Sequence, residues 1–137
     1  MRALLGLAML SITVAATASE GEIEYREHTM EAVGGHMQAM ADIMRGKVPH
    51  TEHLAVHANA MADLADIADT LWPEGSEGGE TLPAVWSDPE DFAQRLANFK
   101  EAARGLKAAV ASGTDIGAAF QPLGQACKGC HDTYRKE

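Results

Sequence analysis

The sequence predicts an all-α fold, an antiparallel four-helix bundle. Four stretches carry apolar residues at helical spacing, no stretch alternates convincingly as a strand, and the breaks between stretches are mostly short. In the first, Ile23, Met30, Val33, Met37, Met40 and Met44 recur at steps of three, four or seven until "GKVPH", Gly46 to His50, stops the pattern. The second begins near Thr51 and carries Leu54, Ala58, Met61, Leu64, Ile67, Ala68 and Leu71 up to "WPEGSEGGE". "SDPE" announces the third: Ser87 is placed to cap a helix, Glu90 to close the capping box, and Pro89 to sit in the first turn. Its stripe is Phe92, Leu96, Phe99, Leu106 and Val110. "SGTD" then ends that helix with glycine and offers Thr114 or Asp115 as the next cap. The fourth stripe is the most regular, with Ile116, Phe120, Leu123, Cys127, Cys130 and Tyr134 at alternating steps of four and three, an a/d seam. The longer connection, about Trp72 to Trp86, is expected to cross an end of the bundle as an irregular loop. Gly34 and Gly35 cost about 1 kcal/mol each inside a helix, so close approach by a neighbour or a flat ligand is the expected reason for them.

Met1 and Arg2 precede an apolar run to about Ala16, and "ATA", Ala16 to Ala18, is a small-x-small cleavage site ahead of acidic sequence. This pattern predicts a secretory leader over residues 1–18 and one domain over 19–137. The run falls short of the roughly 20 residues a membrane span needs, and Ser11 and Thr13 interrupt it. Export to the periplasm is therefore expected. A formal charge of −9 speaks against a nucleic-acid partner and suits partner proteins with basic patches.

Export also puts Cys127 and Cys130, the only cysteines, in an oxidising compartment, where a free vicinal pair does not stay reduced unaided. They stand in "CKGCHDTYRKE", and on a helix advancing about 100° per residue Cys127, Cys130 and His131 share one face, expected to point into the bundle. A thioredoxin-like dithiol calls for a strand-to-helix junction in a βαβ setting, which this chain lacks. Structural zinc calls for four ligands, and no second cysteine pair exists. A disulfide across two intervening residues gains little and leaves His131 unexplained. Cys-x-x-Cys-His is the c-type haem attachment signature and accounts for all three residues: the thiols add across the two vinyl groups and the imidazole holds the iron. One covalent haem c is the expected cofactor. Its bulk also compensates for a composition of only two Trp, two Tyr and three Phe.

A motif at the C-terminal end of a four-helix chain resembles the class II cytochromes c, the cytochrome c′ family with its low-spin Met/His relatives. The resemblance covers nearly all of residues 19–137, including "YREHTMEAVGGHMQAM", "EGGETLPAVWSD" and "CKGCHDTYRKE". It implies a haem inside the bundle, with His131 as proximal ligand and Met30 on the opposite face, as iron ligand or as lid. It further implies Arg26 near the haem propionates, Glu27 and Glu80 as haem contacts, and Asp132 and Arg135 as neighbours of the proximal face. Periplasmic electron transfer with redox partner proteins is the first expectation. The alternative is a five-coordinate, high-spin protein that binds nitric oxide or carbon monoxide beneath Met30. A homodimer through the first two helices is the expected assembly. No catalytic dyad is visible, so no enzyme activity is expected. His50, His53 and His57, at i, i+3, i+7, have no cysteine or carboxylate-rich partner and read as exposed residues of the second helix.

Overall fold

The computed structural model describes the backbone of residues 13–137 and the side chains of residues 19–137; apart from the backbone of 13–18, the leader expected over 1–18 lies outside the described residues. Five helices follow in order: α1 Thr13–Met44, α2 Leu54–Ile67, α3 Ala84–Ser87, α4 Pro89–Ser112 and α5 Ile116–Tyr134. The four long ones form the bundle, and α3 is a single turn inside the crossing loop. No strand occurs among the described residues, only one isolated antiparallel bridge between Thr81 and Arg135. None of the helices described is long and apolar enough to cross a membrane.

Each helix ends where its sequence stops favouring it. Beyond α1 the chain turns through Gly46 at φ +69°, whose N–H bonds to the Ile43 carbonyl, and Pro49 follows. A 3₁₀ turn, Thr51–His53, leads into α2, and a second, Ala68–Thr70, carries the chain to Leu71. The expected cap at Ser87 is not formed. Ser87 is taken up in α3, its N–H bonded to the Pro83 carbonyl, and the cap of α4 falls one residue later on Asp88, which accepts from the Asp91 N–H with Pro89 just inside. Gly113, at φ +66°, closes α4, and Asp115 caps α5 by accepting from the Ala118 N–H.

The core follows three of the four seams between neighbouring helices. α1 packs on α2, α2 on α4, and α4 on α5. Ala58, Ala62, Ala65 and Ala68 are buried along α2 and its 3₁₀ extension, and their small side chains let α1 and α4 come close. Met40, Met61, Leu71, Leu106 and Leu123 are fully buried between them. The predicted stripes hold except at helix ends, where Met44 and Ile67 are exposed because the chain turns away from the core within a few residues. The fourth seam, between α1 and α5, is not closed by direct helix packing; a cavity lies there instead.

Candidate functional site

The cavity measures about 520 Å³, within the range of small-molecule sites. Its α5 wall presents Cys127, Cys130 and His131 together, as the helical spacing requires. Both cysteines are half-buried, pack against the core, and are unlinked. Burial raises both thiols, Cys130 to about 11 despite Arg95 nearby, so they are neutral at physiological pH. A neutral thiol is a poor redox nucleophile, which further weakens the dithiol reading. His131 lies at the open edge, exposed rather than turned fully inward as the sequence suggested. Loss of hydration, then the charge of Arg135, holds its pKa below the usual histidine value, which keeps a ring nitrogen lone pair available.

Across from α5, α1 contributes Met30, Val33, Gly34 and Met37. These four are apolar or thioether-bearing, Glu31 and Gln38 of α1 also line the cavity, and no histidine of α1 does. A Cβ added at Gly34 or Gly35 meets no protein atom within 4 Å, so neither glycine serves close helix approach; Gly34 opens onto the cavity, which fits the flat-ligand reading, and Gly35 has no structural account. Phe92 of α4 forms the floor, edge-on to Trp72 at 4.9 Å and to Tyr134 at 5.0 Å between ring centroids.

Arg26 is only 2% exposed and lines the cavity one turn before Met30. Its two terminal nitrogens donate to the carbonyls of Leu71 (3.2 Å), Ser76 (3.0 Å) and Gly78 (3.2 Å) and to the Ser76 hydroxyl (3.1 Å). Its carbon also sits 6.0 Å from the Trp86 ring centroid. The guanidinium thus fastens the crossing loop to α1, a role that sequence spacing did not reveal. Among the described residues no carboxylate forms an ion pair with it, and burial pulls its pKa down against the opposing pull of Glu27 and Glu22.

At the rim Glu27 accepts from the Glu80 N–H (3.2 Å), and the Glu80 carboxylate accepts from Arg135 Nε (2.9 Å). The chain after α5 pairs with the crossing loop: Leu82 N–H bonds to the Tyr134 carbonyl and Lys136 N–H to the Glu80 carbonyl, both at 2.8 Å. Of the residues expected at the site, Asp132 alone does not line the cavity; it is exposed and accepts from Lys128 at 2.5 Å. Sequence reasoning missed Arg95, which lines the cavity and donates to Asp91 at 3.1 Å. Its only signal was its i, i+4 spacing from Asp91 ahead of a site it reaches from another helix.

The donor set fits haem c. Two neutral thiols and an imidazole stand on one wall, Met30, Val33 and Met37 line the other, and a buried guanidinium with no ion-pair partner among the described residues would accommodate the acid groups of the macrocycle. A second groove of about 480 Å³, between α4 and α5 and lined by Asn98, Gly105 and Pro122 among others, contains none of these donors.

Comparison with known proteins agrees. The family model described as Cytochrome C′ matches residues 21–135. The chain is 34% identical over 122 residues to cytochrome c′ of Pararhodospirillum photometricum, covering 85% of this chain and 98% of that one. It is 35% identical over 118 residues to cytochrome c-556 of Agrobacterium tumefaciens, covering 84% and 97%. Among solved structures, the nitric oxide complex of a cytochrome c prime variant from Alcaligenes xylosoxidans superposes with a TM-score of 0.81 at 29% identity, covering 87% of this chain and 97% of that one. Cytochrome c prime from Shewanella frigidimarina gives 0.81 at 31% identity, with the same coverage. Fold, motif, cavity and relatives coincide: the chain belongs to the cytochrome c′ family of c-type haem proteins.

Proposed function

We propose that the protein carries one haem c, joined covalently through Cys127 and Cys130 with His131 on the iron, and that it serves in the periplasm as a cytochrome c′ binding nitric oxide or carbon monoxide. When bound, the haem supplies an iron centre able to exchange an electron or take a diatomic gas. His131 offers the proximal nitrogen, Cys127 and Cys130 fix the macrocycle to α5, and Met30 and its α1 neighbours keep water off the opposite face. Arg26 compensates negative charge at the inner edge, while Glu80 and Arg135 hold each other at the rim; Glu27 holds the loop, and Asp132 stays at the surface near the proximal side. The observation that carries this reading is the imidazole-free α1 wall, with Met30, Val33 and Met37 on the cavity, in a fold whose solved relatives include nitric oxide complexes.

The electron-carrier reading, first on sequence grounds, becomes the second. What favours it is the thioether of Met30 in that wall and similarity to relatives named cytochrome c-554 and c-556. Spectra of the oxidised and reduced protein, with and without carbon monoxide, separate the two. A high-spin spectrum that shifts with the gas supports gas binding; a low-spin spectrum indifferent to it means that Met30 ligates and electron transfer is the function. Redox partners, in either case, would present basic patches to a chain of net charge −9. Enzymatic turnover and nucleic-acid binding form no part of this proposal. A homodimer does: among the described residues, the large apolar side chains left exposed (Tyr25, Met44, Val48, Val56 and Ile67) all lie on α1, α2 or the turn between them. Sedimentation equilibrium of the wild type against Val56→Lys tests it.

A further inference from the structure

A pair of metal-ligating side chains on two different helices lies outside the haem cavity. His36 of α1 and His57 of α2 face each other across the helix seam, Nδ1 to Nδ1 at 2.9 Å, with ring centroids 5.2 Å apart and planes inclined at 58°. Both are half-buried, and neither lines the cavity. His57 is therefore not the exposed residue that the sequence suggested. With a proton on one facing nitrogen, the pair makes a single N–H···N bond. With both protons on Nε2, two lone pairs confront one another, an arrangement that a cation relieves.

We propose that His36 and His57 form a second metal site, taking a cupric ion that clamps α1 to α2. Metal–imidazole bonds of about 2.0–2.1 Å drawn to nitrogens 2.9 Å apart meet at about 90°, the cis angle of tetragonal copper; a tetrahedral zinc would need them about 3.4 Å apart. Copper also heads the affinity order for nitrogen ligands. The ligands stand on two packed helices, so little chain entropy is lost when they close on the ion. The net charge of −9 draws cations to the surface. A competing cluster, His50, Glu52 and His53, has its ligand atoms within 4.8 Å of one another, but all three are exposed and lie in one turn of the chain, so an ion there would join no two long helices.

The test titrates the oxidised haem protein with cupric chloride against a competing chelator, so that ferrous iron does not reduce the probe. One copper per chain is expected, with nitrogen couplings in its paramagnetic resonance spectrum and a higher thermal midpoint. His36→Gln and His57→Gln should each weaken binding at least tenfold while leaving the haem spectrum and helical dichroism unchanged. Undiminished binding in the His36→Gln/His57→Gln double variant, or a loss that follows His50→Ala/His53→Ala instead, overturns the site. Should the glutamine variants fold poorly, anomalous scattering at the copper edge from copper-soaked wild-type crystals decides: a peak between His36 and His57 supports the proposal, and a peak elsewhere or none refutes it.

Discussion

Arg26 shows how one side chain serves two parts of the molecule. Its buried guanidinium satisfies three loop carbonyls and a hydroxyl, so it organises residues 71–78 before it can act on anything in the cavity. Arg26→Leu strands those acceptors in a site too dry to hydrate them, and a loss of about 1–3 kcal/mol in urea denaturation is expected. Met30 behaves differently because it is half-buried on the cavity wall. Met30→Ala should leave the spin state unchanged and speed carbon monoxide association in stopped flow; conversion from low to high spin on that substitution would instead identify the thioether as a ligand. That Cys127, Cys130 and His131 share one cavity wall was legible in the sequence because it depends on spacing within two turns of one helix. The uses of Arg26 and His57 were not, since each depends on a partner in another element: Ser76 is fifty residues from Arg26, and His57 is twenty-one from His36.

Helices were read correctly where periodicity ran long, and their caps less so. The α4 cap moved from Ser87 to Asp88 because a one-turn helix, invisible to an apolar-stripe argument, consumed Ser87 first. The same helix start carries Asp91, which accepts from the Tyr134 hydroxyl (2.6 Å) and from Arg95 Nε (3.1 Å), tying the first turn of α4 to the last of α5. The Tyr134 and Arg95 hydrogen bonds hold Asp91 below its ordinary value of 3.8, while burial and the Asp91 contact push Tyr134 up to about 12. The unfolded chain thus takes up the Asp91 proton first as pH falls. The stability from this contact is complete above 3.8 and is lost as pH drops through the lower folded value. Asp91→Asn should flatten the decline in stability below pH 4 in urea titrations at stepped pH. In the crossing loop, Gly79 sits at φ +60°, and a Cβ there collides with the Glu27 carboxylate and Ile23. Gly79→Ala should therefore cost about 1–3 kcal/mol, through backbone strain and the displaced Glu27, again read by denaturation.

The bundle as a whole has three seams closed by side chains and a fourth, between α1 and α5, whose facing walls meet across the cavity. The chain supplies small residues where helices must touch, with alanines along α2, and leaves its few large aromatics, Trp72, Phe92 and Tyr134, at the cavity edge. That distribution was foreshadowed by a composition poor in aromatics, but which seam would stay open was not, because periodicity reports one helix at a time and not the order in which helices pack. Under the proposed attachment the haem stays joined to the unfolded chain too, so it stabilises the fold through the apolar surface it buries between α1 and α5, and that effect should be local. In Cys127→Ala/Cys130→Ala, expressed with haem-maturation machinery, the bonds to α5 that the proposed function assigns are absent, and the macrocycle should wash out on denaturation. The thermal midpoint should fall, and hydrogen exchange should quicken most along α1 and α5 while α2 and α4, joined to each other by buried alanines and Leu106, keep most of their protection. Uniform loss of protection across all four helices would mean that the bound group supports the bundle as one cooperative unit rather than closing a single seam.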